Sequence, residues 1–375
     1  MSIKVWDYLD EYEAERTEIL AAVDRVFRSG TLVLGNSVKS FEADFAAYCQ
    51  TLYGVGVDNA TNGIFLALKA LNIGAGDEVI TVSNTAVPTV SAIVQAGATP
   101  RFVDVLPDSA LMDVSKIEAA ITLRTKCIIP VHLYGQCVDM DALVQLAKKH
   151  SLSIIEDCSQ SHGATHRGRK AGSMGDMGVF SFYPTKPLGG FGDGGFISTS
   201  NAELDARLRS LRFYGMKGVY YAEELGYNSR LDEVHAEILR FKLSKLDGYI
   251  ERRRQLALRY DQILSSTSLK LPSTCGGNSH VYYVYVVRHH LRDEIIAQLK
   301  KKDIFLNISY PWPIHLMRGY SNLGGKDGDL PITEALSKAI FSLPMYPSLT
   351  DEMQTQTCIA IGEILGESVN VEPII

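Results

Sequence analysis

Between about residues 54 and 200, short apolar runs alternate with helical stretches, and this alternation restricts the fold more than any other feature of the chain. The runs cover 55–57, 79–83, 101–105, 127–131, 153–156, 178–182 and 195–199. Helix-like patterns lie between several of them, over 63–71, 89–95, 114–120 and 140–150. Strands that alternate with helices need crossover connections, which predicts an α/β fold with a mostly parallel seven-stranded sheet flanked by helices. The last two runs are joined only by a glycine-rich loop, too short for a helical crossover. At least one strand is therefore expected to run antiparallel, making the sheet mixed.

From 231 to about 265 the pattern is long and helical, with Ala236, Leu239, Leu243, Leu246 and Ile250 recurring at three- and four-residue steps. It leads into Glu251-Arg252-Arg253-Arg254, which reads as a solvated face rather than an anion site. Beyond it come a strand over 281–287, a helix over 291–302 and a closing helix over 352–364. The predicted division is a large domain over 1–249 and a smaller C-terminal α/β domain over 250–375.

The net charge of −6 argues against a nucleic-acid partner, and the short apolar runs argue against a membrane span. Met1-Ser2-Ile3-Lys4-Val5-Trp6-Asp7 has no apolar signal core, so a cytoplasmic location is expected. The six cysteines include no Cys-x-x-Cys pair, so neither a metal site nor a disulfide framework is expected. Cys158 reads as a small buried hydrophobe rather than a nucleophile.

The chemistry is expected where loops leave the strand ends, the position of Asn59, Asn84, Asp157 and Lys186. Lys186 stands in Ser181-Phe182-Tyr183-Pro184-Thr185-Lys186-Pro187-Leu188-Gly189-Gly190-Phe191-Gly192-Asp193-Gly194-Gly195, between an apolar strand and a sharply turning loop. A half-buried lysine is costly unless its amine is neutralised, paired or used covalently. Upstream, Ile154-Ile155-Glu156-Asp157 ends a strand in a carboxylate. A lysine to form a Schiff base and an acid to keep a pyridine nitrogen protonated are what a pyridoxal phosphate enzyme requires. The cofactor phosphate needs amide donors at a helix start, and Asn59-Ala60-Thr61-Asn62-Gly63 has that character, with Ala60, Thr61 and Asn62 as the binding residues. Ser181 adds a hydroxyl from the lysine strand. The glycines of 189–195 follow a lysine and open no helix, which argues against dinucleotide binding.

Over almost its whole length the chain also resembles the DegT/DnrJ/EryC1/StrS sugar aminotransferases, within pyridoxal phosphate fold type I. The likeness lies in Gly35-Asn36-Ser37-Val38-Lys39-Ser40-Phe41-Glu42, Gly76-Asp77-Glu78-Val79-Ile80 and Phe102-Val103-Asp104-Val105. It continues through Val131-His132-Leu133-Tyr134-Gly135-Gln136, Glu156-Asp157-Cys158-Ser159-Gln160-Ser161-His162-Gly163-Ala164 and the lysine loop. Gly226-Tyr227-Asn228-Ser229-Arg230-Leu231-Asp232 and Ser342-Leu343-Pro344-Met345-Tyr346-Pro347 complete it.

The resemblance implies amino transfer from L-glutamate to a keto-deoxyhexose nucleotide, in a homodimer with shared active sites. A dTDP-linked 3-keto-6-deoxyhexose is the expected acceptor, with C4 amination or a UDP or GDP sugar as the alternative. Lys186 would carry the catalysis. Gln160 would meet the cofactor's phenolic oxygen, and Asn228 would reach the phosphate across the dimer. On the substrate side it implicates Tyr183, His162, Tyr310 and His315, with Arg230 on a substrate phosphate or a structural carboxylate. One departure stands out: Ala86 occupies the place of the aromatic residue that usually covers the cofactor ring. A related dehydratase branch replaces the lysine with histidine, so Lys186 argues against that activity. A non-catalytic pyridoxal-binding regulator would need a nucleic-acid-binding module, for which the chain shows no extra domain.

Overall fold

The computed structural model describes residues 2–218 and 220–371. In chain order the first strands are β1 (Tyr53–Val57), β2 (Glu78–Val82), β3 (Thr99–Val103), β4 (Thr125–Ile128) and β5 (Ser153–Asp157). A short hairpin, β6 (Thr165–His166) and β7 (Arg169–Lys170), precedes β8 (Met177–Ser181) and β9 (Gly195–Thr199). The remainder are β10 (Asn278–Ser279), β11 (Tyr285–Arg288) and β12 (Ile340–Leu343).

Seven strands form one sheet in the order β1-β9-β8-β5-β4-β2-β3, with β9 antiparallel to both its neighbours and the other pairs parallel. Both faces are buried, and alternate side chains show how. Ile80, Ile128, Ile154, Phe180 and Phe196 enter one core. Their neighbours Val79, Cys127, Ile155, Val179 and Ile197 enter the other. A sheet covered on both sides is what helical crossovers produce.

Register brings the site together. Gly195 pairs with Val57 on one side and Ser181 on the other, while Asp157 pairs with Val179. The ends of β1, β5 and β8 thus open on one edge of the sheet.

The helical pattern over 231–265 is two helices, Glu233–Leu243 and Leu246–Leu264. The break follows from local bonding: Ser244 and Lys245 donate to the carbonyls three residues back, and the Ser244 hydroxyl takes the Phe241 carbonyl. A boundary at 249/250 falls inside the second of these helices. The expected 281–287 strand is the shorter β11, paired with β12. These two strands cover a third core that also takes in Ile3. Ile3 exchanges backbone bonds with Asp303 and Phe305, so the chain's first residues pack on the C-terminal unit. Arg253, expected on a solvated face, is buried instead.

Candidate active site

Asp157 ends β5 and is 4% exposed. Its Oδ2 accepts the Thr89 hydroxyl at 2.7 Å and its Oδ1 accepts the Ser159 amide at 3.1 Å. Thr89 lies on the Val87–Gln95 helix, for which Ala86 is the N-cap. It was not singled out from sequence; a hydroxyl one turn into a helix after a strand gives no signal until its partner is known.

Gln160 is fixed at both ends of its amide. Its Oε1 accepts the Tyr134 amide at 2.8 Å, and its Nε2 donates to the Tyr310 hydroxyl at 2.5 Å. Tyr310 holds a left-handed backbone (φ 74°), a strained conformation for a tyrosine. Its hydroxyl is thus brought to Gln160.

Lys186 is half-buried, with its Nζ 4.5 Å from the centre of the Tyr283 ring. The Tyr283 hydroxyl bonds the Thr185 hydroxyl at 2.9 Å, which ties the lysine loop to the C-terminal unit. Within the loop, Phe182 and Gly194 bond through their backbones, as do Gly190 and Phe182. Tyr310 and Tyr283 bring two aromatic side chains to Gln160 and Lys186, where Ala86 brings none.

The Ala60–Ala70 helix supplies the anion donors. Asn59 caps it by accepting the Asn62 amide at 2.8 Å, and the Asn62 side chain donates to Asp58. The Asn62 amide is therefore spent, while those of Ala60 and Thr61 have no protein partner among the described residues. Ser181 lies in register with Gly195, whose α-carbon abuts the Asn59–Ala60 peptide: a Cβ there would meet Asn59 C at 2.5 Å and Ala60 N at 2.8 Å. Two free amides, a hydroxyl, a fixed carboxylate and a lysine amine are the donor set that pyridoxal phosphate needs. The residues fit that cofactor.

Other expected residues fall differently. His162 is buried among Phe45, Phe180 and Phe182. Neither ring nitrogen has a hydrogen-bond partner, and burial, with the Lys186 charge, pushes its pKa down to about 3 against a weaker pull from the Ser181 backbone. It presents no surface to a sugar. His315 is likewise sealed off from substrate. Its backbone N–H donates to the Ser83 hydroxyl, which leaves that hydroxyl's proton for His315 Nδ1 at 2.8 Å. Its Nε2–H then points at Glu334, 3.1 Å away. Both nitrogens are committed to joining β2 to the C-terminal unit.

Tyr183, 52% exposed, stands free beside the lysine loop. Arg230 lies over the rings of Phe213 and Tyr214 with no carboxylate in reach among the described residues, so its charge is open to an anion. Asn228 is exposed, and its neighbour Ser229 bonds Asp58 beside the anion donors of the same chain. The Cys158 thiol is buried, and burial raises its pKa well above the ordinary value, which keeps it a protonated, inert group.

Residues 13–362 match the DegT/DnrJ/EryC1/StrS aminotransferase family. The chain is 55% identical over 371 residues to dTDP-3-amino-3,4,6-trideoxy-alpha-D-glucose transaminase of Micromonospora megalomicea subsp. nigra, covering 97% of this chain and 99% of that one. Among solved structures it resembles Streptomyces venezuelae DesV in complex with a ketimine intermediate, with TM-score 0.94, 41% identity and coverage of 96% and 98%. It also resembles Bacillus subtilis NtdA with the cofactor PMP bound, with TM-score 0.88, 29% identity and coverage of 94% and 82%.

Proposed function

The chain belongs to the DegT/DnrJ/EryC1/StrS aminotransferase family, and from that membership we propose that it carries an amino group from L-glutamate to C3 of a dTDP-linked 3-keto-6-deoxyhexose. The enzyme is a nucleotide-sugar aminotransferase and its cofactor is pyridoxal phosphate. The observation that carries the reading is that Asp157, a buried carboxylate held by Thr89 at the end of β5, and the half-buried Lys186, in the loop after the neighbouring parallel β8, leave the sheet on the same edge. The choice of C3 and of dTDP rests on the product named for the Micromonospora relative.

When bound, the cofactor supplies an electron-withdrawing ring that acidifies the C–H bond beside the transferred nitrogen. The amides of Ala60 and Thr61 and the Ser181 hydroxyl would hold its phosphate, joined by Asn228 of a second copy. Asp157, locked by Thr89 and the Ser159 amide, would hold the proton on the pyridine nitrogen. Gln160 keeps one Nε2 hydrogen for the phenolic oxygen after serving Tyr310. Lys186 Nζ takes the α-proton of glutamate and returns a proton to the sugar carbon. Tyr183 and Arg230 would meet the sugar nucleotide, with Arg230 on a phosphate.

We read the enzyme as a cytoplasmic homodimer. In support, no helix among the described residues is long and apolar enough to cross a membrane. Phe27, Leu32, Leu225 and Trp312 also remain more than half exposed on a single chain.

The test is the visible spectrum of the cofactor-loaded protein before and after glutamate, beside Lys186→Ala. The reading expects glutamate to bleach the band in the wild type, and a dTDP-3-keto-6-deoxyhexose to restore it with nitrogen at C3 of the product. A wild type that ignores glutamate ends the donor assignment. Nitrogen found at C4 ends the regiochemical one.

A further inference from the structure

Among the described residues, one buried arginine or lysine lacks a carboxylate partner. Arg212 has Glu42, and Lys242 has Glu11 and Glu15. Arg253 is 3% exposed and has no carboxylate within 4.0 Å among the described residues. Its Nη1 is anchored by three backbone carbonyls, those of Tyr282 at 3.3 Å, Tyr283 at 3.1 Å and Met345 at 2.9 Å. Its Nε is sealed from solvent without a partner, and every hydrogen bond the side chain makes among the described residues leaves from Nη1, so Nη2 is unspent. Burial lowers its pKa to about 10, with Glu11 pulling the other way, so the guanidinium stays charged at neutral pH. Carbonyl dipoles orient such a cation without neutralising it. Buried charges are ordinarily paired, and a charged guanidinium whose Nη2 is unspent can take a carboxylate oxygen.

Arg253 lines a cavity of about 250 Å³ that Lys186 also lines. The walls are aromatic: Trp6, Tyr8 and Tyr12 from the N-terminal segment, and Phe191 from the lysine loop. That volume lies below the range of roughly 300–1,000 Å³ that drug-sized ligands occupy, so it suits an amino acid and not a whole nucleotide sugar. Glu11 and Lys242, the other charges in the lining, are spent on each other.

We infer that this cavity is the amino-donor subsite, in which Arg253 receives a carboxylate of the donor while the donor's amine faces Lys186. The inference rests on the proposed glutamate donor and assigns that donor a place. The aromatic walls cover the methylene stem. Arg253 also links donor binding to the C-terminal unit through the carbonyls it holds.

The experiment titrates glutarate, a dicarboxylate with no amine to react, into the cofactor-loaded enzyme by calorimetry, for wild type, Arg253→Lys and Arg253→Met. Melting temperatures and the two half-reactions are recorded alongside. Loss of a charged hydrogen-bonded contact is expected to weaken glutarate binding about 10- to 100-fold in Arg253→Met, with Arg253→Lys between. KM for glutamate should rise in step, with far less effect on the sugar half-reaction. Trp6→Ala, which opens the wall without touching the charge, should also weaken glutarate if Arg253→Met fails to fold. Unchanged glutarate affinity in a folded Arg253→Met, or in Trp6→Ala when the Met variant does not fold, overturns the assignment. So does a loss shared equally by both half-reactions and tracking the melting temperature, which marks Arg253 as a structural pin. A wild type that binds glutarate yet ignores glutamate refutes the donor reading while leaving the carboxylate site standing.

Discussion

The Thr89 hydroxyl reaches the Asp157 carboxylate across 2.7 Å, although 68 residues separate them. Thr85 in turn lies 3.2 Å from Thr89 through their hydroxyls, so the carboxylate's position depends on the loop that follows β2. A hydrogen bond to a buried charged group contributes about 2 kcal/mol. Thr89→Val is expected to lower Tm by about 2–4 °C and to weaken cofactor retention, and Thr89→Ser to restore both. A Thr89→Val protein with unchanged Tm and cofactor affinity contradicts this account of how Asp157 is held.

Glu156, one residue before Asp157, is fully buried. Burial alone pushes its carboxyl up. The His132 contact at 2.8 Å and the amides of Gly172 and Gly175 together outweigh that, leaving its pKa below the ordinary value. His132 Nδ1 accepts the Val138 amide, so the neutral ring carries its proton on Nε2 and donates it to Glu156. A carboxyl with a depressed folded-state pKa stabilises the protein above its unfolded pKa, and that stability is lost as pH falls through the folded value. Glu156→Gln should cost about 3 kcal/mol at neutral pH and flatten the fall in stability as pH drops below the ordinary carboxylate range. Urea midpoints over that drop in pH, wild type against variant, decide it.

His162 works in the opposite sense to a charged partner. Its folded pKa of about 3 lies far below the unfolded value, so the unfolded chain alone takes up a proton as pH falls below about 6.5. Stability drains away through that window and is whole above it. His162→Met, filling the same phenyl cage with no proton to gain, is expected to remove this part of the pH dependence. KM for the sugar nucleotide should hardly move. A large rise in that KM would restore His162 to the substrate side.

The glycine loop offers a steric test. Gly195→Ala drives a methyl into the Asn59–Ala60 peptide, which is backbone and cannot swing aside. Overpacking of this kind costs about 1–3 kcal/mol, and here it displaces the amides meant for the phosphate. Gly190→Ala meets nothing nearer than His235 at 3.4 Å and the Phe182 carbonyl at 3.5 Å, ordinary contacts. Pyridoxal phosphate titrations should show at least about tenfold weaker binding for Gly195→Ala and little change for Gly190→Ala. Equal affinities in the two would remove the phosphate from this edge of the sheet.

What the sequence determined alone was whatever local pattern carries. Short apolar runs alternating with helical stretches identified the strands of the large sheet, and the short glycine loop between 182 and 195 required the antiparallel strand that β9 became. Lys186, Asp157 and the Asn59 cap were legible because each stands where a strand ends and a loop or helix begins. Only the tertiary structure decided what each polar group faces. His162 and His315 read as substrate residues from their motifs, yet one went into a cage of rings and the other between Ser83 and Glu334. Arg253 read as one of three solvated cations, yet its turn of helix faces the carbonyls of Tyr282, Tyr283 and Met345. Helical and strand periods follow from covalent geometry and neighbours a few residues away, so they are written in the chain. Burial and the pairing of polar groups depend on distant partners, 232 residues away in the case of Ser83 and His315, and no local pattern contains them.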